Sequence, residues 1–235
     1  MAAWTDAACF RVSSSTRHDM TWRYLVAGIG IVLGIVGLAL NYSVIMPAVT
    51  TVSETNPAAR SLPDALIYYF SFFTHLTNLG LVLVYLSEMA PGPWLGWFNK
   101  PSTRAMMASV IVLVMLFYHV MLAPTLTHLT GVIVYTNVLL HYVTPILYLL
   151  WWALFSTHGT LRFVHIPLLL VPPLIYLAYV LVRGALVGEY PYAIVDAGKF
   201  GYEQVAINAA TLTLAVIILA TAVVAADKLL ARRRA

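Results

Sequence analysis

Six apolar stretches, each long enough to cross a bilayer, leave this chain few alternatives. They lie at about 22–46, 64–88, 103–123, 131–155, 165–186 and 202–226. Roughly 20 apolar residues in a helix cover the ~30 Å hydrocarbon core. Spanning β-strands are shorter, about ten residues, and alternate in polarity, so the expected fold is an all-α integral membrane protein with six transmembrane helices. Composition agrees: 61% of residues are hydrophobic and 9% charged, where a soluble domain has about a quarter charged. The links are rich in breakers, as in Ala90-Pro91-Gly92-Pro93 and Asn99-Lys100-Pro101. No fixed-period repeat interrupts a single helical domain at 22–226, preceded by a polar, loosely ordered lead at 1–21 and followed by a basic tail at 227–235.

The charges orient the helices. With the N-terminus inside, ten Lys and Arg fall on the inner side (Arg11, Arg17, Arg23, Lys100, Arg104, Arg162, Lys228 and Arg232–Arg234) and three on the outer (Arg60, Arg183, Lys199). That bias predicts both termini cytoplasmic, and the net charge of +4 marks topology rather than a nucleic-acid surface. Membrane lipids are the expected partners. The lead has no charged start, short apolar core and small-residue cleavage site of a signal peptide. A single cysteine, Cys9, allows no internal disulfide and no thiolate metal cluster. On the outer side Glu54, Asp64, Glu189, Asp196 and Glu203 gather around the loops, with Tyr190-Pro191-Tyr192 among them. Tyrosines there suit a water–lipid interface.

Polar groups within a span are costly and are functional candidates by default. Ser71, Thr74 and Asn78 fall at i, i+3 and i+7 of the second run, with Thr77 alongside; Asn137, His141, Thr144 and Tyr148 share one face of the fourth. Thr74 is ten residues past Asp64 and His141 ten past Gly131, which puts both about 15 Å from the outer end of a straight helix. Both stripes should face the bundle interior. Asn208 and Gln204 from the sixth run, and His119 from the third, can join them.

One use of such a pair is acyl transfer. A threonine hydroxyl becomes a nucleophile when a base takes its proton, and histidine is the usual base near neutral pH. Thr74 would attack an ester carbonyl, and His141 would accept and return the proton. Asn78, Thr77, Asn137 or Asn208 would orient the imidazole or donate to the oxyanion, with no choice among them from sequence. Phe72, Phe73, Leu140 and Trp151 would supply apolar walls, and no cofactor or metal is required. Other readings stay open. Stripes of this kind also form plain interhelical hydrogen-bonded seams. A lipid-binding or transport protein without catalysis fits the same helices. A haem electron-transfer protein would use His75 and His141 as axial ligands, and a zinc hydrolase would need His75, His119 and His141 to converge. His128, His158 and His165 fall in or beside loops, where a solvated side chain is the default.

At these residues the chain resembles the six-helix androgen-induced protein family, which includes androgen-dependent TFPI-regulating protein, and its bacterial members in particular. Phe72-Phe73-Thr74 is similar to the family's aromatic-x-Thr nucleophile motif. Asn137-x-x-x-His141 followed by Pro145 is similar to its base motif, and Gly188-Glu189-Tyr190-Pro191-Tyr192 resembles its glycine-to-Tyr-Pro-aromatic outer turn. The resemblance covers most of 22–226. It implies an intramembrane threonine hydrolase in the bacterial plasma membrane, with Thr74 as nucleophile, His141 as base and a lipid or fatty-acyl ester as substrate; the animal relatives cleave fatty acid esters of hydroxy fatty acids. Arg183, Tyr190, Tyr192, Asp196 and His119 would line the outer mouth. Two departures stand out: Thr77 occupies a position that is acidic in the animal proteins, and Arg183-Gly184 stands near where they carry histidine.

Overall fold

The computed structural model describes residues 14–53 and 56–233, with side chains from Met20 onward. Cys9, Arg11, Glu54 and Arg234 lie outside the described residues, as do the side chains of Arg17, His18 and Asp19.

Among the described residues the chain is helical, with a single isolated backbone bridge between Ser53 and Asn56. Helix α1 (Ser14–Thr50) takes in residues 14–21, which composition alone assigns to a loosely ordered lead. The second apolar run is two helices, α2 (Leu62–Phe70) and α3 (Phe73–Met89), bent by 77° at Ser71-Phe72. Next come α4 (Pro101–Phe117), which continues into a π-turn at Tyr118–Leu122, and α5 (Val132–Val138), joined to α6 (Thr144–Phe155) by a second π-turn at Leu139–Val143. Helices α7 (Ile166–Val187) and α8 (Ala197–Arg232) complete the bundle. Among the described residues, five helices are long and apolar enough to cross a membrane, and the bent α2–α3 pair makes a sixth when its two helices are taken as one span.

Local chemistry sets the boundaries. Proline at the first or second position opens α2, α4 and α7, where its missing N–H costs nothing. Gly188 closes α7 in the left-handed region (φ 71°), and Gly201 (φ 74°) breaks the start of α8; only glycine adopts either without strain. Pro172 and Pro173 lie within the continuous α7.

Helix α1 packs along α3, α5 and α6, while α4, α7 and α8 pack together. Small residues permit the first of these contacts. A Cβ on Gly30 would fall 2.3 Å from the Tyr85 ring, one on Gly34 2.5 Å from Val82, and one on Gly37 2.8 Å from Leu140.

The half of the bundle farther from Tyr192 is held by buried polar links set in aromatic packing. Glu88 accepts from Arg23 (2.6 Å) and Arg104 (2.7 Å), and Arg104 also lies over the Trp151 ring. His158, which its loop position suggests is solvated, is buried instead. Its Nδ1 faces Asp227 at 3.1 Å, and the other Asp227 oxygen accepts from the Gly159 and Leu161 N–H groups. A carboxylate inside the bundle gathers three partners from the adjoining loop, since an uncompensated buried charge costs several kcal/mol, roughly 3–5.

Candidate active site

The bend at Ser71-Phe72 carries the site. Neither residue is a helix breaker, so the unpaired backbone around them must be satisfied from elsewhere. Two tyrosines of α7 do this. Tyr176 donates to the Ser71 carbonyl (2.8 Å), and the Tyr179 hydroxyl meets Ser71 Oγ (2.9 Å), which itself donates to Ile67 O (2.6 Å). From the loop after α7, the Tyr192 hydroxyl accepts the Phe73 N–H at 2.9 Å. The first turn of α3 is thereby capped by a side chain 119 residues away, and Thr74 is its second residue.

The bend changes the depth reasoning. Nine residues of α2 run steeply across α3, so Thr74 stands at the end of a 17-residue helix rather than mid-way along a straight span. Counted from the opposite ends at Met89 and Phe155, Thr74 and His141 remain level, each about 21–23 Å along its helix at 1.5 Å per residue.

They meet. Thr74 Oγ1 lies 3.2 Å from His141 Nε2, and both side chains are buried, 7% exposed each. His141 Nδ1 is 2.9 Å from the Asn137 carbonyl oxygen. A carbonyl only accepts, so Nδ1 carries the proton, and the neutral ring turns the Nε2 lone pair toward the threonine O–H. Tyr118, in the π-turn of α4, stacks on the imidazole at 3.9 Å.

His141 is itself in a π-turn, and Pro145 explains the turn. Proline donates no N–H to the preceding turn and crowds its carbonyls, so the helix widens there. The carbonyls near the widened turn are taken up by side chains: Asn78 Nδ2 donates to Leu140 O (3.1 Å), and Thr144 Oγ1 reaches Leu139 O (3.2 Å). Asn78 also donates to Thr74 O (2.9 Å) and accepts from Thr144. Asn78 is therefore a bracket between α3 and the π-turn, and both of its N–H donors are engaged. Thr77 donates to Phe73 O (2.8 Å) and also lies 3.1 Å from Thr74 O. Asn137 serves His141 through its backbone. Asn208 donates to Ile194 O (2.7 Å) and accepts from Gln204, holding the loop that follows α7. His119 is exposed and paired with Tyr142. His75 is turned to Tyr69, bonded to its carbonyl (2.6 Å) and stacked on its ring at 3.9 Å. Among the described residues, no three His, Cys, Asp or Glu side chains converge on one point.

A cavity of about 90 Å³ opens on Thr74. It lies between α4, α7 and α8 and follows α7 from Val180 to Leu170, about 15 Å at 1.5 Å per residue. Phe73 lines it; Phe72, Leu140 and Trp151 do not. Leu140 packs beside Gly37, and Trp151 sits in the inner core against Tyr85.

The expected mouth residues mostly anchor the loop instead. Arg183 is buried and donates to the Glu189 carbonyl (3.0 Å) and carboxylate (2.7 Å). Arg60 pairs with Glu189 and with Asp64. Tyr190 lies flat on Gly184, where a Cβ would come within 1.9 Å of its ring. Asp196 caps the first turn of α8. Of that group only Tyr192 reaches the cavity, together with Tyr176, which the sequence did not flag. Comparison of the chain with protein-family models, curated proteins and solved structures gives no match.

Proposed function

We propose that this protein is an intramembrane hydrolase of lipophilic carboxylic esters in which Thr74 is the nucleophile and His141 the base. The observation that carries this is the 3.2 Å contact between Thr74 Oγ1 and a His141 Nε2 whose tautomer is fixed from behind by the Asn137 carbonyl. The apolar cavity that opens on Thr74 supports it.

The steps follow from that arrangement. Thr74 Oγ adds to the ester carbonyl carbon while its proton passes to His141 Nε2, and the carbonyl π pair moves onto oxygen. The tetrahedral adduct collapses, the C–O bond to the alcohol breaks, and the alcohol leaves with the proton from His141. Water then repeats the sequence on the acyl-threonine and releases the carboxylic acid. General-base assistance of this kind contributes about 10²–10⁴-fold. The acyl chain lies in the cavity along α7. The charge bias supports both termini on the cytoplasmic face, with the site toward the outer side; a bacterial plasma membrane is what the family resemblance suggests. Fatty acid esters of hydroxy fatty acids are the substrate class that the family resemblance suggests.

A cavity so apolar also suits a protein that binds lipid without chemistry. Labelling with a fluorophosphonate probe separates the two. Wild-type protein labels and hydrolyses 4-nitrophenyl decanoate, while folded Thr74→Ala and His141→Ala variants do neither; the hydrolase assignment is falsified if both variants keep full activity. A folded wild type that neither labels nor hydrolyses leaves the lipid-binding protein.

A further inference from the structure

Four hydroxyls stand on the wall of the cavity: Thr74, Tyr176, Tyr192 and Thr213. Three already donate elsewhere. Thr74 faces His141, Tyr176 gives its proton to Ser71 O, and Thr213 gives its own to Ala209 O at 2.8 Å. Two of the amides proposed from sequence are also engaged: both N–H donors of Asn78 are committed, and Asn208 donates to Ile194 O. The developing oxyanion of an ester bound at Thr74 still needs a donor.

Tyr192 differs from the other three. Its oxygen accepts the Phe73 N–H at 2.9 Å. The Thr74 and Tyr176 hydroxyls share the cavity wall with it, but each has a partner of its own, in His141 and the Ser71 carbonyl. The ring is wedged edge-on between Phe72 (5.8 Å) and Phe117 (5.6 Å), which fixes where the hydroxyl points. The first N–H of a 17-residue helix, α3, aims at the same oxygen, and a helix N-terminus favours negative charge nearby. Burial of the hydroxyl end holds the phenol above the ordinary tyrosine value, so the proton is in place at neutral pH.

We infer that Tyr192 is a further catalytic residue, whose O–H donates a hydrogen bond to the ester carbonyl oxygen as it becomes the oxyanion. The inference rests on the reading of Thr74 and His141 as a hydrolytic pair. When substrate enters, the phenol proton rotates from the Thr74 side to the carbonyl oxygen. It stays on Tyr192 throughout; the proton that moves is the one passing between Thr74 and His141. The Phe73 N–H polarises the phenol oxygen from behind, so the donor strengthens as charge grows in front of it. Only the transition state gains, so the effect falls on kcat rather than on KM.

The test is steady-state hydrolysis of 4-nitrophenyl decanoate by full-length protein in detergent micelles, comparing wild type, Tyr192→Phe and protein carrying 2,3-difluorotyrosine at position 192. Removing one oxyanion donor costs about 10²–10³-fold in kcat. The Phe variant is expected to lose that much with KM little changed and a thermal midpoint lowered by loss of the cap on Phe73, and the fluorinated protein to show a kcat that moves with phenol acidity. If Tyr192→Phe fails to fold, the fluorinated protein decides, because it keeps the ring and the cap on Phe73. Wild-type kcat in Tyr192→Phe, or a kcat indifferent to fluorination, overturns the role of Tyr192 and leaves Thr74 and His141 standing. Absence of Thr74-dependent turnover in the wild type overturns the hydrolytic pair, and this inference with it.

Discussion

His141 Nδ1 and the backbone carbonyl of Asn137 are 2.9 Å apart, one helical turn from each other, and this contact decides which ring nitrogen faces Thr74. Because the acceptor is backbone, the Asn137 side chain is dispensable for it. Asn137→Ala is expected to keep activity within about tenfold of wild type, whereas His141→Ala loses about 10²–10⁴-fold. Hydrolysis rates of the two purified variants check this; equal losses would mean that the Asn137 amide itself acts at the site.

Asn78 holds α3 to the widened turn through Thr74 O, Leu140 O and Thr144. Asn78→Ala leaves buried carbonyls without donors and should cost about 1–3 kcal/mol in stability. Thr144→Val removes an overlapping set of bonds, so the double variant should lose less than the sum of the singles. Thermal or denaturant unfolding in a fixed detergent measures both; strict additivity would show that the two residues do not share a network.

Around Glu189 the two arginines are not equivalent. Arg183 is 9% exposed and holds both the backbone and the carboxylate of Glu189, while the Arg60 pair is more open to water. Arg183→Ala should cost about 1–3 kcal/mol and Arg60→Ala under about 1 kcal/mol. Arg183→Lys should recover little, because an ammonium cannot span two acceptors in the plane of a guanidinium. The reverse ranking in unfolding experiments would count against this geometry.

Gly184 has no room for a side chain beneath Tyr190. Gly184→Ala should lift the loop between Gly188 and Asp196, and Tyr192 with it, leaving the far half of the bundle intact. The expected result is a kcat lowered at least about tenfold with a small change in unfolding midpoint, given that small misplacements at a reacting centre cost up to about 10²-fold. Unchanged kcat would show that the loop's seat does not set the position of Tyr192.

Asp227 and His158 are a local clamp remote from Thr74. Asp227→Ala removes the acceptor for His158 and for two loop N–H groups, and should cost about 3–5 kcal/mol. The fraction that still folds should hydrolyse ester at the wild-type rate per folded molecule, measured after size-exclusion purification. A folded variant with an altered rate would tie the clamp to the site.

The helices and the Thr74–His141 pair were legible because intramembrane polarity is costly and helical spacing reveals the face it occupies. The bend at Ser71-Phe72 was not. Nothing in those two residues breaks a helix, and the groups that stabilise the break, Tyr176, Tyr179 and Tyr192, come from more than a hundred positions away. Asn78 drew notice as a donor for chemistry, while the true demand on it came from Pro145; a proline four residues after a histidine in a span signals carbonyls in need of partners. His158 looked solvated because it sits at a helix end, and its partner on α8 has no local signature. Tyr192 was read from its position as an interfacial aromatic and from the resemblance as a mouth residue; it does line the cavity, but sequence does not tell whether a loop tyrosine faces outward or folds back onto the bundle.

The 77° bend also sets a supply geometry. Thr74 stands at the end of a shortened helix, beneath the loop that carries Tyr192 and beside an apolar slot. On the proposed function, water would come to it from the loop side and an acyl chain from the slot along α7. A carboxylate formed there would leave toward the loop while its tail withdrew along α7, so on the proposed function the folded-over α2 would make one membrane segment a sorting point for the two ends of a product.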